Sequence, residues 1–368
     1  MAPRKRMGNW RNRLVASRRF QKWTAGMPFL RSIARREGEA LFDLMSGFVY
    51  SQVLTGLVEL NILADLHAAP QTARALGHKH GIAADRMTVL LKAGVGLKLL
   101  RQRGDQFDLT QRGAAMLGVP GLQAMVLHHG AFYRDLADPV AFLREETETE
   151  LADFWPYVFG AKGQMPADQA RIYSDLMADS QSLVAEDTLR MVSFKDVKTL
   201  MDVGGGSGAF LCAVGEAYPE LQMQLFDLPD VAPQAQARFD AAGQTQRVTL
   251  SAGSFRDETL PKGADAISLI RVLYDHSDST IAALLSKIFE TLPANGRLII
   301  SEPMSGGATP TGPGDAYFAF YTMAMRTGRA RSAAEIAAFC EKAGFDQITI
   351  PKARRPFVTS VVTAVKSE

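Results

Sequence analysis

Nine residues just past the midpoint constrain this chain more than any other stretch: Leu200-Met201-Asp202-Val203-Gly204-Gly205-Gly206-Ser207-Gly208. The apolar residues ending at Val203 read as a strand. Five residues, four of them glycine, read as a tight loop, and Ala209-Phe210-Leu211-Cys212-Ala213-Val214 as the start of a helix. Strand, glycine loop and helix in that order let the backbone N–H groups of an open α/β sheet close on a nucleotide-like ligand, because side chains there would hold the ligand off.

Two ligand classes compete for the loop. Gly204, Gly206 and Ala209 fit the dinucleotide pattern G-x-G-x-x-G/A. Asp202, Gly204, Gly206 and Gly208 fit the acidic-x-G-x-G-x-G loop that holds S-adenosylmethionine. Both patterns expect an acidic residue about 20 positions on, to grip ribose hydroxyls, and Asp227 supplies it. Asp227-Leu228-Pro229 then closes the strand with no basic residue for a 2′-phosphate, and the loop follows a helical region instead of opening the chain. These features favour S-adenosyl-L-methionine.

With 368 residues and 47% apolar composition, the chain is long enough for two domains with separate cores. No uninterrupted apolar run reaches the roughly 20 residues of a membrane span, and no secretory segment is recognised. A cytoplasmic location is expected. Cys212 and Cys340 lie far apart and form neither a disulfide framework nor a metal site. Residues 1–40 carry eleven Lys or Arg against Glu37 and Glu39, whereas the whole chain has a net charge of only +2. Trp10, Leu14, Val15, Phe20, Trp23, Phe29, Leu30 and Ile33 interleave with these cations. The arm suits peripheral contact with an anionic inner or photosynthetic membrane, or service as a solubilising tail. No base-reading motif accompanies it, so nucleic acid is not an expected partner.

Three regions follow: a basic amphiphilic arm over 1–38, a helical region over 39–195 and a catalytic domain over 196–368. In the second, Leu41, Leu44, Met45, Phe48, Leu54, Leu57 and Val58 recur at helical spacing. Helices at 75–80 and 83–93, then a wing of strands 97–100 and 107–110 about Gly104-Asp105, predict a winged helix. Its would-be recognition helix is apolar, which favours dimerisation over DNA binding. Glu145 to Glu150 reads as a solvated acidic helix face. In the third region, strands are expected at 199–203, 223–226, 248–250, 266–270, 297–301, 347–350 and 358–365. Helices are expected near 209–217, 231–242, 278–292 and 332–343. This alternation gives an α/β fold with a largely parallel sheet covered on both faces. The last two strands have no helix between them, so the sheet ends in an antiparallel hairpin.

Together these residues resemble the S-adenosylmethionine-dependent O-methyltransferases of the caffeate and hydroxyindole type, over nearly all of residues 40–366. Within that family they are most similar to the carotenoid branch of purple phototrophic bacteria, which acts on demethylspheroidene and hydroxyneurosporene alcohols. The arm, Arg271-Val272-Leu273-Tyr274-Asp275-His276 and Pro356-Phe357-Val358-Thr359-Ser360 carry the closer likeness. The resemblance implies a seven-stranded Rossmann-like methyltransferase sheet, an N-terminal winged-helix dimerisation domain, a homodimer and a lipophilic small-molecule substrate.

For the cofactor it implies Asp202, Gly204, Gly206, Gly208, Asp227 and Leu228. The family's Gly-Asp-Phe after the third strand is Gly253-Ser254-Phe255 here, making Ser254 and Phe255 the adenine-side candidates, with Arg271 beside them. The catalytic motif departs further. Tyr274 stands where the family has its basic histidine, and His276 falls two residues later. Glu302 matches the first of two orienting glutamates, and Ala330 replaces the second. Tyr274 and His276 are therefore expected to share the acceptor's proton, oriented by Glu302. The apolar run after the fifth strand supplies Phe318, Tyr321 and Met325 to a substrate channel, joined by Met304 and Met177. Other readings are methylation of another lipophilic pigment or polycyclic phenol, and a non-catalytic S-adenosylmethionine-binding regulator.

Overall fold

The computed structural model describes Trp10, residues 12–153 and residues 180–368. The chain divides into two compact units, Met1–Gly118 and Val119–Glu368. The sequence grouping of 39–195 thus differs from the observed division. The helices of 122–153 belong with the sheet-bearing unit because Phe132, Phe142 and Leu151 share a buried cluster with Tyr321, Ala324 and Met325.

The first unit is helical. Helix Arg18–Gly26 is capped by Ser17, and helix Pro28–Glu59 runs for 32 residues. Helices Ala73–His80 and Ala84–Gly96 bury Leu76, Met87 and Leu91. The wing is shifted from its expected place: its strands are β2 (Leu100–Arg103) and β3 (Gln106–Leu109), and β1 (Gln71–Thr72) pairs with β3 as a third strand. Lys98 turns through φ 62°, which keeps 97–99 out of the ladder. The Leu41, Phe42, Leu44, Met45, Phe48 and Val49 side chains stay exposed, Leu44 at 80% and Phe48 at 69%.

The second unit carries a seven-stranded sheet: β4 (Thr199–Val203), β5 (Gln222–Asp227), β6 (Val248–Ala252), β7 (Ala266–Ile270), β8 (Arg297–Glu302), β9 (Asp346–Thr349) and β10 (Ser360–Val365). Their order is β6-β5-β4-β7-β8-β10-β9. The first five are parallel, and β10 runs antiparallel to both β8 and β9. Every residue of β7 is buried, as expected of a central strand with both faces covered. One apolar layer, including Met201, Leu285, Ile300 and Ile336, covers one face, and Leu200, Phe210, Leu225 and Ile299 belong to the other. The flanking helices begin where the sequence supplies caps. Ser277 accepts from Thr280 N–H ahead of helix Asp278–Thr291, and Ser332 forms a capping box with Glu335 ahead of helix Ala333–Lys342.

Strand order reverses between β4 and β7. The crevice at the carboxyl ends of those strands is where such sheets bind ligands.

Candidate active site

The glycine loop follows β4 into helix Ala209–Ala217. Gly204, Gly206 and Gly208 take φ of 71°, 57° and 74°, left-handed values that glycine adopts without a steric cost. The four glycines do different work. A Cβ on Gly205 would lie 2.4 Å from Leu225 and 2.5 Å from Asp202 Oδ2, and one on Gly208 would lie 2.5 Å from Phe239. At Gly206 a Cβ would meet nothing within 4 Å. Gly206 therefore leaves the open cradle, while Gly205 lets the loop lie close on the sheet.

Asp227 ends β5 beside this cradle. Its Oδ2 accepts the Gly206 N–H at 2.6 Å and its Oδ1 the Leu228 N–H at 2.7 Å. Burial raises its pKa, and these two bonds oppose the rise. Asp202 is sealed behind the loop, fully buried, with Oδ1 accepting from Ser268 Oγ at 2.6 Å. Burial pushes it up to about 7. Asp202 thus ties β4 to Ser268 of β7 directly behind the close-packed Gly205. The loop and carboxylate fit a nucleoside with a diol: open space at Gly206, and an acceptor pair at Asp227.

On the other side of the crevice, the segment after β7 brings Arg271 and Tyr274 together. Arg271 has φ 59°, a conformation uncommon for a non-glycine residue and often found at functional sites. Its guanidinium donates to Ser180 Oγ at 2.7 Å and to the Tyr274 hydroxyl at 3.3 Å. Tyr274 is buried, which raises its phenol well above the ordinary range, against the pull of Arg271. Asp275 is buried next to it and its pKa is raised by burial. Glu302, at the end of β8, is fully buried and pushed up to about 7, again by burial. Its Oε2 accepts the Tyr274 backbone N–H at 3.2 Å. Among the described residues, Asp202 Oδ2, Asp275 Oδ1 and Glu302 Oε1 are buried without a hydrogen-bond partner.

His276 does not join Tyr274's hydroxyl, contrary to expectation. Its Nδ1 accepts from Arg256 at 3.1 Å, and its ring meets Phe255 edge-on at 5.2 Å. Burial, then the charges of Arg256 and Arg331, lower it to about 4. The 3-10 turn Leu273–Asp275 swings the two side chains to different neighbours. His276 consequently sits with Phe255 and the Ser254 loop, where Ser254 Oγ accepts from Arg256 N–H. Glu302 orients the backbone of the turn instead of a basic side chain.

The expected channel residues are distributed. Met304 is buried in the core beneath the sheet, and Met325 is fully buried in the cluster around Phe132. Phe318 lies on the π-helical turn Gly312–Phe318, packed edge-on against Tyr317 at 4.9 Å. Tyr321 hydrogen-bonds His128. Met177 lies outside the described residues.

Sequence reasoning missed Arg331. Its buried guanidinium donates to the carbonyls of Leu273 and His276 at 2.9 and 2.8 Å and pairs with Asp278, fixing the whole 273–278 turn. It stands next to Ala330, the position searched for a second glutamate. It also missed His128 and His129, whose signal is two adjacent histidines between the apolar residues Ala124–Leu127 and Ala131–Phe132.

A parallel sheet with this switch-point crevice, glycine cradle and strand-end aspartate defines an α/β nucleoside-binding domain of the methyltransferase class. Residues 133–346 match the O-methyltransferase domain and residues 42–118 the O-methyltransferase dimerisation domain; the chain belongs to the O-methyltransferase family. It is 59% identical over 355 residues to demethylspheroidene O-methyltransferase of Cereibacter sphaeroides, covering 96% of this chain and 94% of that one. It is 52% identical over 356 residues to the enzyme of the same name from Rhodobacter capsulatus, covering 97% and 89%. Human N-acetylserotonin methyltransferase, crystallised with S-adenosylmethionine, shares the fold with a TM-score of 0.76 at 22% identity, covering 90% of this chain and 98% of that one.

Proposed function

We propose that the protein transfers the methyl group of S-adenosylmethionine to the hydroxyl of a lipophilic carotenoid of the demethylspheroidene type. The observation that carries the methyl-donor assignment is the open cradle at Gly206 joined to Asp227. The acceptor class rests on the two relatives named above.

When bound, S-adenosylmethionine supplies a methyl group already activated by its sulfonium charge. The protein's share is alignment, exclusion of water and acceptance of a proton. The loop from Gly204 through Gly206 to Gly208 would hold the donor in the open space at Gly206, Asp227 would clasp its ribose, and Leu228, Ser254 and Phe255 would flank its base. Arg271 fixes the Tyr274 hydroxyl at the crevice. Glu302 holds the turn that carries Tyr274. Phe318 and Tyr321, on the segment after β8, would border the acceptor, with Met325 packed behind Tyr321 and Met304 in the separate core beneath the sheet.

The exposed face of helix Pro28–Glu59 (Leu41, Leu44, Met45 and Phe48) is the surface through which two copies pair. The basic arm, with Trp10 and Trp23 exposed, rests on the membrane in which such a substrate dissolves. Deleting residues 1–35 is expected to abolish co-sedimentation with anionic vesicles; unchanged sedimentation removes the arm from that role.

The deciding experiment incubates the protein with radiolabelled S-adenosylmethionine and a pigment extract from a phototroph lacking carotenoid methylation. A labelled carotenoid ether is expected. Label confined to phenolic pigments selects a different acceptor class, and absence of S-adenosylmethionine uptake in equilibrium dialysis overturns the enzyme reading.

A further inference from the structure

We infer that His128 and Tyr321 form the subsite that holds the acceptor's hydroxyl and receives its proton, with His129 and Tyr317 bracing it. This rests on the methyl-transfer reading above and supplies the proton acceptor that the turn at 271–276 does not provide.

Helix Leu122–Asp135 and helix Ala319–Met325 meet in a layer made of Ala131, Phe132, Phe142, Leu151, Ala324 and Met325. Two polar contacts interrupt it. His128 Nε2 lies 2.9 Å from the Tyr321 hydroxyl, and His129 Nε2 lies 2.7 Å from the Tyr317 hydroxyl. Adjacent histidines on one helix meet Tyr317, on the π-helical turn Gly312–Phe318, and Tyr321, on the helix that continues it. The tyrosine rings stack at 6.0 Å and 22°, and Phe132 meets both edge-on. Ring packing therefore fixes where both hydroxyls point. Tyr321 is buried and His128, His129 and Tyr317 are partly buried, so the polar groups that interrupt this apolar layer are held as two pairs.

The place in the fold is also right. Tyr321 follows β8, at the same edge of the sheet as the Tyr274 turn. The charges of Tyr274, Asp275 and Arg271 all bear on its ionisation. His276 is turned toward Arg256, and the Tyr274 hydroxyl is held by Arg271. His128 places an imidazole nitrogen within hydrogen-bond distance of the Tyr321 hydroxyl.

Burial and His129 lower His128 to about 4, so it is neutral at physiological pH, and in the tautomer protonated at Nδ1 its Nε2 accepts the Tyr321 O–H. The Tyr321 oxygen is then an acceptor for an alcohol O–H. As the alcohol oxygen forms its bond to the methyl carbon, the carbon–sulfur pair stays on sulfur. The O–H pair stays on the new ether oxygen, its proton moves to the Tyr321 oxygen, and the Tyr321 proton moves to His128 Nε2. A protonated ether is far more acidic than any imidazolium, so a weak base suffices.

The test has two arms, both on the full chain. In the first, His128→Gln keeps an acceptor for the Tyr321 hydroxyl but cannot take its proton. Turnover of the hydroxylated carotenoid is expected to fall about 10²-fold, with the KM for S-adenosylmethionine unchanged. Tyr321→Phe should behave alike. Parental turnover in His128→Gln overturns the proposal, since a purely structural pair would tolerate glutamine.

The second arm needs no carotenoid. Imidazole nitrogen NMR of the protein saturated with S-adenosylhomocysteine is recorded with tert-amyl alcohol and with its methyl ether. The alcohol is expected to move the His128 resonance, the ether to leave it, and Tyr321→Phe to abolish the response. A His128 signal indifferent to the alcohol sinks the subsite. A response to the alcohol without turnover of any carotenoid upholds the subsite and defeats only the carotenoid assignment.

Discussion

The Gly206 N–H donates to Asp227 Oδ2 at 2.6 Å, tying the loop after β4 to the tip of β5. Leu228 N–H holds the other oxygen. Each oxygen keeps a second lone pair, so the carboxylate is aimed at the crevice before a ribose arrives. The glycine cradle and the sugar clasp are one preorganised object.

Asp227→Ala is therefore expected to weaken S-adenosylmethionine binding severely. Hydrogen bonds to a charged group contribute roughly 1.5–3 kcal/mol, so calorimetric titration should show a loss on the order of 10–100-fold, with the fold intact by circular dichroism. Affinity equal to the parent would take Asp227 out of the cofactor site.

Neighbouring glycines should fail in different ways. Gly205→Ala drives a methyl group into Leu225 and Asp202, an overpacking cost of about 1–3 kcal/mol that urea unfolding will register. Gly206→Ala meets open space but demands a left-handed alanine, costing about 1–2 kcal/mol, and its methyl occupies the cradle. Its larger deficit should appear in S-adenosylmethionine affinity. Equal behaviour of the two variants would contradict the division of labour between them.

Much of this was legible in the chain. The strand–glycine–helix run and the spacing to Asp227 are local patterns, and local patterns predicted all seven strands to within two residues at each end. The wing slipped because Lys98 takes a left-handed turn that an unremarkable lysine does not advertise. The catalytic side was less legible because it is built from contacts between distant segments. His128 meets Tyr321 across 193 positions, and Arg331 reaches back 58 positions to Leu273. Tyr274-Asp275-His276 suggested a shared proton, but a single 3-10 turn sends the two rings apart. Sequence adjacency gives no hint of that divergence.

Glu302 gives a pH prediction. Burial raises it from an ordinary value of 4.5 to about 7, so the folded state prefers it protonated. Its favourable contribution is complete below about pH 4.5 and is lost as pH rises through about 7, with a limiting slope of about 1.4 kcal/mol per pH unit. Glu302→Gln is neutral throughout and its amide oxygen still accepts the Tyr274 N–H. Its stability relative to the parent should improve between pH 5 and pH 8 in urea titrations. A constant difference across that range would mean that Glu302 remains ionised in the native protein.

Arg331 tests whether the turn at 273–278 is held from behind. Removing the guanidinium in Arg331→Met takes the donor from the His276 carbonyl, at about 1–3 kcal/mol, and one of two donors from the Leu273 carbonyl, which keeps the His276 N–H. Asp278 is half exposed, so water takes over its solvation and adds little to the loss. Lysine carries the charge but lacks the planar fork that spans both carbonyls and the carboxylate; Arg331→Lys should recover less than half of the deficit. Because the same turn carries Tyr274 and His276, turnover should fall in step with stability. A methionine variant with the parent's unfolding midpoint would show that the His276 carbonyl finds another partner, and that the turn holds its shape without the arginine.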